Sequence, residues 1–220
     1  MLLSMNVIEL FSSIDGEGKR QGFLTTFLRL HDCNIRCSYC DTLYSYGPES
    51  TFESMSVQAV ADVIEQLENH RITVTGGEPL LQEPAIIELI DELTRRNARY
   101  DFNIETNGTI IPSFHRDNVW FTYDYKTPSS LAEEAMNLDI FKVATSEDII
   151  KFVVGSMQDL DRMDEILKTY PTDAQIFVSP VWGNIEGATI IEYMKAHNWQ
   201  NVRFQLQIHK FIWDPDAKGV

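Results

Sequence analysis

Apolar positions along this chain fall into two rhythms that take turns. Short runs at Val7 to Phe11, Leu24 to Leu30, Ile72 to Thr75 and Phe102 to Glu105 predict strands. So do Val119 to Tyr123, Ile149 to Val154, Gln175 to Val178 and Val202 to Ile208. Between them the period lengthens to that of a helix. Val57, Val60, Ala61, Ile64 and Leu67 share one face behind Ser56, a candidate N-cap. Ile86, Leu89, Ile90 and Leu93 repeat the pattern, as do Leu160, Met163 and Leu167, and a further helix is expected near Ala188 to Ala196. Strand and helix alternating in this way predict an α/β fold with a mostly parallel sheet, either open or curled into a partial barrel.

In such folds the reactive groups collect where strands end and loops begin. Three polar groups stand at those points: Thr75-Gly76-Gly77-Glu78, Glu105-Thr106-Asn107 and Lys126. The last run is different, because Val202, Phe204, Leu206 and Ile208 alternate with Arg203, Gln205, Gln207 and His209. Its polar face is expected to meet solvent rather than a wet cavity. No repeat, low-complexity stretch or Gly/Ser linker interrupts the pattern, so residues 1–220 are expected to form one domain.

Composition narrows the function. Hydrophobic residues make up 44% and charged residues 23% of the 220, which suits a folded chain with a sizeable core. A formal charge of −15 argues against a general nucleic-acid binder, whose phosphate contacts need clustered lysine and arginine. No apolar run approaches the roughly 20 residues that span a bilayer. Met1 to Leu10 lacks the pattern of a secretory signal, so a reducing cytoplasm is expected.

All 3 cysteines fall in one stretch, Cys33-Asn34-Ile35-Arg36-Cys37-Ser38-Tyr39-Cys40. An odd, clustered set is a poor disulfide framework and a good metal or cluster site. Three thiolates on one loop can hold three corners of an iron–sulfur cubane and leave one iron open to a ligand. Structural zinc is the alternative, with His31 as a possible fourth ligand. The second feature is Gly76-Gly77-Glu78-Pro79, directly after an apolar strand. Glycines there let backbone carbonyls approach a ligand, and Glu78 can fix either a nearby turn or an amine.

Together the C-x3-C-x2-C triplet, Tyr39 before its third cysteine and the Gly-Gly-Glu-Pro turn resemble the radical S-adenosylmethionine (SAM) superfamily. Within it the whole chain is similar to the 7-carboxy-7-deazaguanine synthase family. Ile14-Asp15-Gly16-Glu17-Gly18 resembles that family's substrate loop, with Asp15 in place of the usual Gln. Arg29 matches a substrate-binding arginine, Cys40-Asp41-Thr42 a magnesium-binding pattern, and His209-Lys210 to Lys218-Gly219-Val220 the family's C-terminus.

The resemblance implies a partial, TIM-like barrel of the radical SAM type. It implies one 4Fe–4S cluster on Cys33, Cys37 and Cys40, with SAM chelating the open iron and Mg²⁺ held by Thr42. SAM contacts are implied at Tyr39, Asp41, Gly76, Gly77, Glu78, Glu105, Asp124, Lys126 and Ser179. The pterin is implied to meet Ile14, Asp15, Gly16, Glu17, Arg29, Thr75, His209 and the terminal carboxylate of Val220. At Asp124-Tyr125-Lys126 only the lysine of the family's Ser-Pro-Lys is kept. The implied reaction turns 6-carboxy-5,6,7,8-tetrahydropterin into 7-carboxy-7-deazaguanine with loss of ammonia, on the route to queuosine and related deazapurines. A small electron donor such as flavodoxin or ferredoxin, and a homodimer, are the implied partners.

Other readings stand beside these. A glycyl-radical activating enzyme shares the cysteine spacing, although Arg29, Thr42 and the C-terminal segment favour a pocket for a small molecule. A zinc or iron–sulfur module without activity would need four protein ligands. Arg29, between Leu28 and Leu30, is either a surface salt bridge or a ligand for a carboxylate, and the second is expected. Glu105 is open between a cap and a functional group. His209 is open between a site group and a neutral histidine packed on Trp213, while Trp182 and Trp213 are expected as core or dimer contacts.

Overall fold

A computed structural model describes residues 3–215 and 217–219. Nine strands form one sheet: β1 (Ser4–Ile14), β2 (Leu24–Leu30), β3 (Glu53–Ser56), β4 (Arg71–Gly76), β5 (Asp101–Thr106), β6 (Val119–Tyr125), β7 (Ile149–Val154), β8 (Gln175–Pro180) and β9 (Val202–Phe204). Their order is β3-β1-β2-β4-β5-β6-β7-β8-β9. β1 is antiparallel to both neighbours, and every pairing from β2 to β9 is parallel. The two edge strands do not meet, so the sheet is an incomplete barrel, the one of the two forms left open by the alternating pattern that the family resemblance implied.

Helices cover the convex face: α1 (Val57–Gln66), α2 (Glu83–Arg96), α3 (Ile140–Val143), α4 (Met157–Thr169) and α5 (Gly187–Ala196), whereas the short α6 (His209–Ile212) lies on the concave side, its residues His209 and Lys210 facing the cavity there. Ser56 caps α1 as expected, its hydroxyl accepting from Ala59 N at 3.2 Å. The apolar stripes of α1 and α2 are the predicted ones, and α4 buries Ile166 beside Leu160 and Met163. These stripes pack on one face of the strands, through residues such as Leu28, Val74, Ile104, Tyr123 and Phe152.

The other face of the same strands is polar. Arg29, Thr73, Thr75, Glu105, Thr122, Asp124 and Lys151 alternate with those core residues and point into the concavity. Register sets them side by side, Arg29 opposite Thr75, Glu105 opposite Thr122 and Asp124 opposite Lys151. The loop after β1 closes the N-terminal end of the concavity. Arg20 is buried there over the ring of Trp120, 4.1 Å from its centroid, and donates to Ile72 O at 3.1 Å.

Two expectations are corrected. The run Val202 to Ile208 is a strand only through Phe204. Gln205 N still reaches Val178 O at 3.0 Å, but the Gln205 and Gln207 side chains then turn inward to residues 17 and 18. This part of the polar face therefore lies in the interior, while Arg203 meets solvent as expected. The edge strand Glu53–Ser56 was not foreseen, because four mostly polar residues carry no apolar rhythm.

Candidate active site

The cysteine loop leaves β2 through Asp32, which holds a left-handed backbone (φ 80°) and accepts from Cys33 N through its carboxylate at 2.8 Å. Its carbonyl takes the Glu78 N–H at 2.8 Å, and Leu30 O takes the Gly77 N–H at 3.2 Å. The loop is thereby stitched to the turn after β4. A Cβ on Gly77 would lie 2.1 Å from Asp32 O and 2.7 Å from Cys33 Cβ, so only glycine fits. Arg36 folds back to donate to Cys33 O and Ile35 O, each at 2.7 Å, and Ser38 N donates to Ser130 O at 2.9 Å.

Cys33, Cys37 and Cys40 line one cavity of about 280 Å³ at the C-terminal ends of the strands. Burial pushes the Cys37 thiol up to about 11 and raises Cys33 as well, so these sulfurs need a bound cation to become thiolates at neutral pH. The donor set fits an iron–sulfur cubane: three soft ligands spread along one wall. It does not fit zinc. Among the described residues no three His, Cys, Asp or Glu side chains converge on a single ion position, and His31 packs on Phe52, ring centroids 4.3 Å apart.

Most of the expected site residues share that cavity. Tyr39, Asp41, Thr42, Gly76, Gly77, Glu105, Asp124 and Lys126 line it together with Ile14, Asp15, Gly16, Glu17, Arg29, Thr75 and His209. Glu78 and Ser179 are not on its wall. Glu78 is fully buried and its carboxylate accepts from Leu80 N (2.9 Å), Thr106 Oγ1 (2.8 Å) and Asn107 N (2.7 Å). Of the two roles open to it, the structure gives it the turn. Ser179 lies beside Val153 in register, fully buried, with a hydroxyl that bonds to no described residue. Val220 lies outside the described residues; Lys218 and Gly219, just before it, line the cavity.

The chemistry of the wall is a set of carboxylates and cations. Arg29 Nε meets Glu9 Oε1 at 2.5 Å, and Tyr44 OH donates to the same oxygen at 2.7 Å. Among the described residues the terminal guanidinium nitrogens make no hydrogen bond, so Arg29 both forms the salt bridge and keeps its fork for the cavity. Lys126 Nζ lies 3.1 Å from Asp124 Oδ2. Asp124 Oδ1 is buried with no partner among the described residues. Glu105 makes no hydrogen bond among them either, and burial raises its pKa although Lys151 opposes the shift. Thr42 Oγ1 donates to Asp41 Oδ1 at 2.9 Å.

His209 resolves away from Trp213. Its ring crosses Gly16 so closely that a Cβ there would sit 2.0 Å from Nδ1. Burial lowers its pKa against the pull of Glu17, so the ring is neutral at neutral pH. Trp182 is also outside the core, 42% exposed and edge-on to Phe211, with centroids 5.1 Å apart, at the cavity rim.

Lys151 was missed. It donates to Glu17 Oε1 at 2.8 Å and lies 3.7 Å from Asp124 Oδ2. Its signal was present, a lone lysine within Ile149-Ile150-Lys151-Phe152-Val153-Val154, where a buried charge demands partners. Gln207, which donates to Glu17 Oε1 at 3.3 Å, was read as a solvent residue.

Comparison with known proteins agrees with this architecture. Residues 29–154 match the radical SAM superfamily model. A 7-carboxy-7-deazaguanine synthase of Clostridium acetobutylicum is 37% identical over 99% of this chain and 100% of its own length. One from Methanospirillum hungatei JF-1 is 37% identical over 96% of this chain and 86% of its own. The crystal structure of QueE from Escherichia coli has the same fold, with a TM-score of 0.71 at 22% identity over 92% of this chain and 93% of that one. A cysteine triplet around one cavity, the glycine turn stitched to it and full-length relatives at this identity make the chain a member of the radical SAM superfamily and, within it, of the 7-carboxy-7-deazaguanine synthase family.

Proposed function

We propose that this radical SAM lyase of deazapurine biosynthesis converts 6-carboxy-5,6,7,8-tetrahydropterin to 7-carboxy-7-deazaguanine with loss of ammonia. One observation carries the reading: three cysteines and a paired set of carboxylates and cations line the same cavity of about 280 Å³. Convergent charged groups lining a cavity suit a polar small molecule bound beside the cysteines. Neither a glycyl-radical activating enzyme nor an inactive metal module is favoured by the full-length relatives.

When bound to Cys33, Cys37 and Cys40, a 4Fe–4S cluster would supply the electron that cleaves SAM and so starts the radical reaction. The protein's part is to bind, orient and exclude water. Gly76 and Gly77, packed without side chains against β2 and the cysteine loop, line the cavity where the amino acid end of SAM would lie, and Tyr39 closes the cluster side with its hydroxyl 3.4 Å from Val153 O. Asp124 and Lys126 offer one acceptor and one cation to the same cofactor. Arg29 offers a two-pronged donor to the pterin carboxylate. Glu17 and Glu105 accept from ring N–H groups, and neutral His209 packs the ring against Gly16. Thr42, with its hydroxyl on Asp41, is the group that would hold Mg²⁺ near the substrate oxygens.

A flavodoxin or ferredoxin as electron donor, a homodimer and a cytoplasmic setting belong to the same proposal. No helix among the described residues is long and apolar enough to cross a membrane. The test is anaerobic turnover of the reconstituted protein with SAM, Mg²⁺, dithionite and 6-carboxytetrahydropterin, read by mass spectrometry. The deazaguanine acid should form and Cys40→Ala should abolish it. SAM cleavage without that product would leave the superfamily in place and remove the substrate.

A further inference from the structure

We propose that Asp15 works as a neutral carboxylic acid that donates a hydrogen bond to a carbonyl or imine acceptor on the bound heterocycle, so that substrate affinity falls as the pH rises. The proposal rests on the functional reading above and adds a specificity-determining proton to it.

Asp15 is 2% exposed and lines the cavity. Its backbone is committed, with N donating to Phe23 O at 2.8 Å and O accepting from Gly22 N at 2.8 Å, so the loop cannot swing its side chain into water without opening. Around the carboxyl stand Thr73 from β4, Glu105 from β5, Glu17 from its own loop and Arg20 from the short turn that follows. Only Thr73 reaches it, its hydroxyl 3.2 Å from Oδ2. Arg20 is spent elsewhere, donating to Ile72 O and lying 2.8 Å from Asp101 Oδ2 as an ion pair without hydrogen-bond alignment. No backbone N–H and no cation bonds the Asp15 carboxyl among the described residues, and the other carboxylates face it.

A carboxylate so placed lacks the partners that make a buried charge tolerable. Burial first, and Glu105 next, push its pKa up to about 7. With Thr73 serving one oxygen, the acid proton is left for the cavity. That proton is needed, because Glu17 and Glu105 can only accept when ionised, whereas a fused pyrimidinone also presents a ring carbonyl and imine nitrogens that must be met by a donor.

Two measurements test this in the cluster-loaded protein. The first is anaerobic equilibrium binding of 6-carboxytetrahydropterin, with SAM present, across roughly one and a half pH units on either side of the folded value. Wild type should lose affinity by about tenfold per unit above pH 7, the slope of one required proton. Asp15→Asn should flatten that slope whatever its absolute affinity. A flat wild-type profile, or an Asn variant that keeps the slope, overturns the proposal. The second is infrared difference spectroscopy of substrate-free wild type against Asp15→Asn. A protonated carboxyl band belonging to Asp15 should be present at acid pH and bleach through neutrality; its absence overturns the proposal without any substrate. Wild type that shows the band yet binds no pterin at any pH would instead overturn the functional reading, and the donor role with it.

Discussion

Lys151 Nζ stands 2.8 Å from Glu17 Oε1 and 3.7 Å from Asp124 Oδ2, joining the loop after β1 to the end of β6. Its side chain is 7% exposed. Burial opposes its charge, but Glu17, Asp124 and Glu105 hold the ammonium well above the ordinary lysine range. The lysine therefore ties the side of the cavity assigned to the pterin to the side assigned to SAM. Lys151→Met keeps the apolar stem and deletes the cation, leaving several carboxylates to repel one another. Removing one partner of a buried pair costs about 3–5 kcal/mol. We expect the pterin KM to rise about tenfold or more, the SAM affinity to fall, and Lys151→Arg to recover part of both. A variant with normal constants for both ligands would show that the contact only supports the fold.

Gly77 offers a separate handle on the cluster wall. Its Cβ would overlap Asp32 O at 2.1 Å and Cys33 Cβ at 2.7 Å, and neither neighbour is a flexible side-chain tip. Gly77→Ala must displace the cysteine loop, at a cost of about 1–3 kcal/mol. Iron bound per chain after reconstitution should fall, and SAM affinity should drop by about tenfold. Full iron content with unchanged SAM affinity would mean that the two turns are not coupled.

What could be read from sequence followed from burial. The strands and the stripes of α1 and α2 announced themselves because their apolar residues must repeat at fixed periods. The cysteine wall was legible because thiols in that spacing have few other uses. Lys151 and Gln207 were overlooked for one reason: each looks like an error in a pattern until the partner across the barrel is known. Glu17, their shared partner, is 134 residues from Lys151 along the chain. Glu78 was half legible, since a buried carboxylate serves a turn or a ligand equally well in one dimension. Its three donors come from two different strand ends.

Stability should carry the mark of Asp15. Its folded pKa of about 7 lies above the ordinary 3.8, so below pH 4 the group contributes the same in both states. Between those values the unfolded chain has released the proton and the folded chain retains it, so stability declines as the pH climbs and levels off above 7. Asp15→Asn removes the titration. The variant's gain in unfolding free energy over wild type, measured by denaturant titration, should grow between those two pH values, reaching about 1–4 kcal/mol. A difference that does not change with pH would show that Asp15 ionises as freely in the fold as outside it.

Glu78→Gln separates a clamp from a cofactor ligand. The amide keeps one oxygen but turns an N–H₂ toward donors that the carboxylate now serves, Leu80 N and Thr106 Oγ1 on one oxygen and Asn107 N on the other. Whichever way the amide rotates, at least one buried N–H loses its acceptor, which costs about 1–3 kcal/mol. For a chain of this length that lowers the Tm by about 2–10 °C. Because no part of Glu78 lies on the cavity wall, SAM affinity measured at equal iron content, well below the transition, should change by less than about threefold. A large loss of SAM affinity with an unchanged Tm would mean that the carboxylate meets the cofactor directly, and that the turn of Gly76 and Gly77 is held by other bonds.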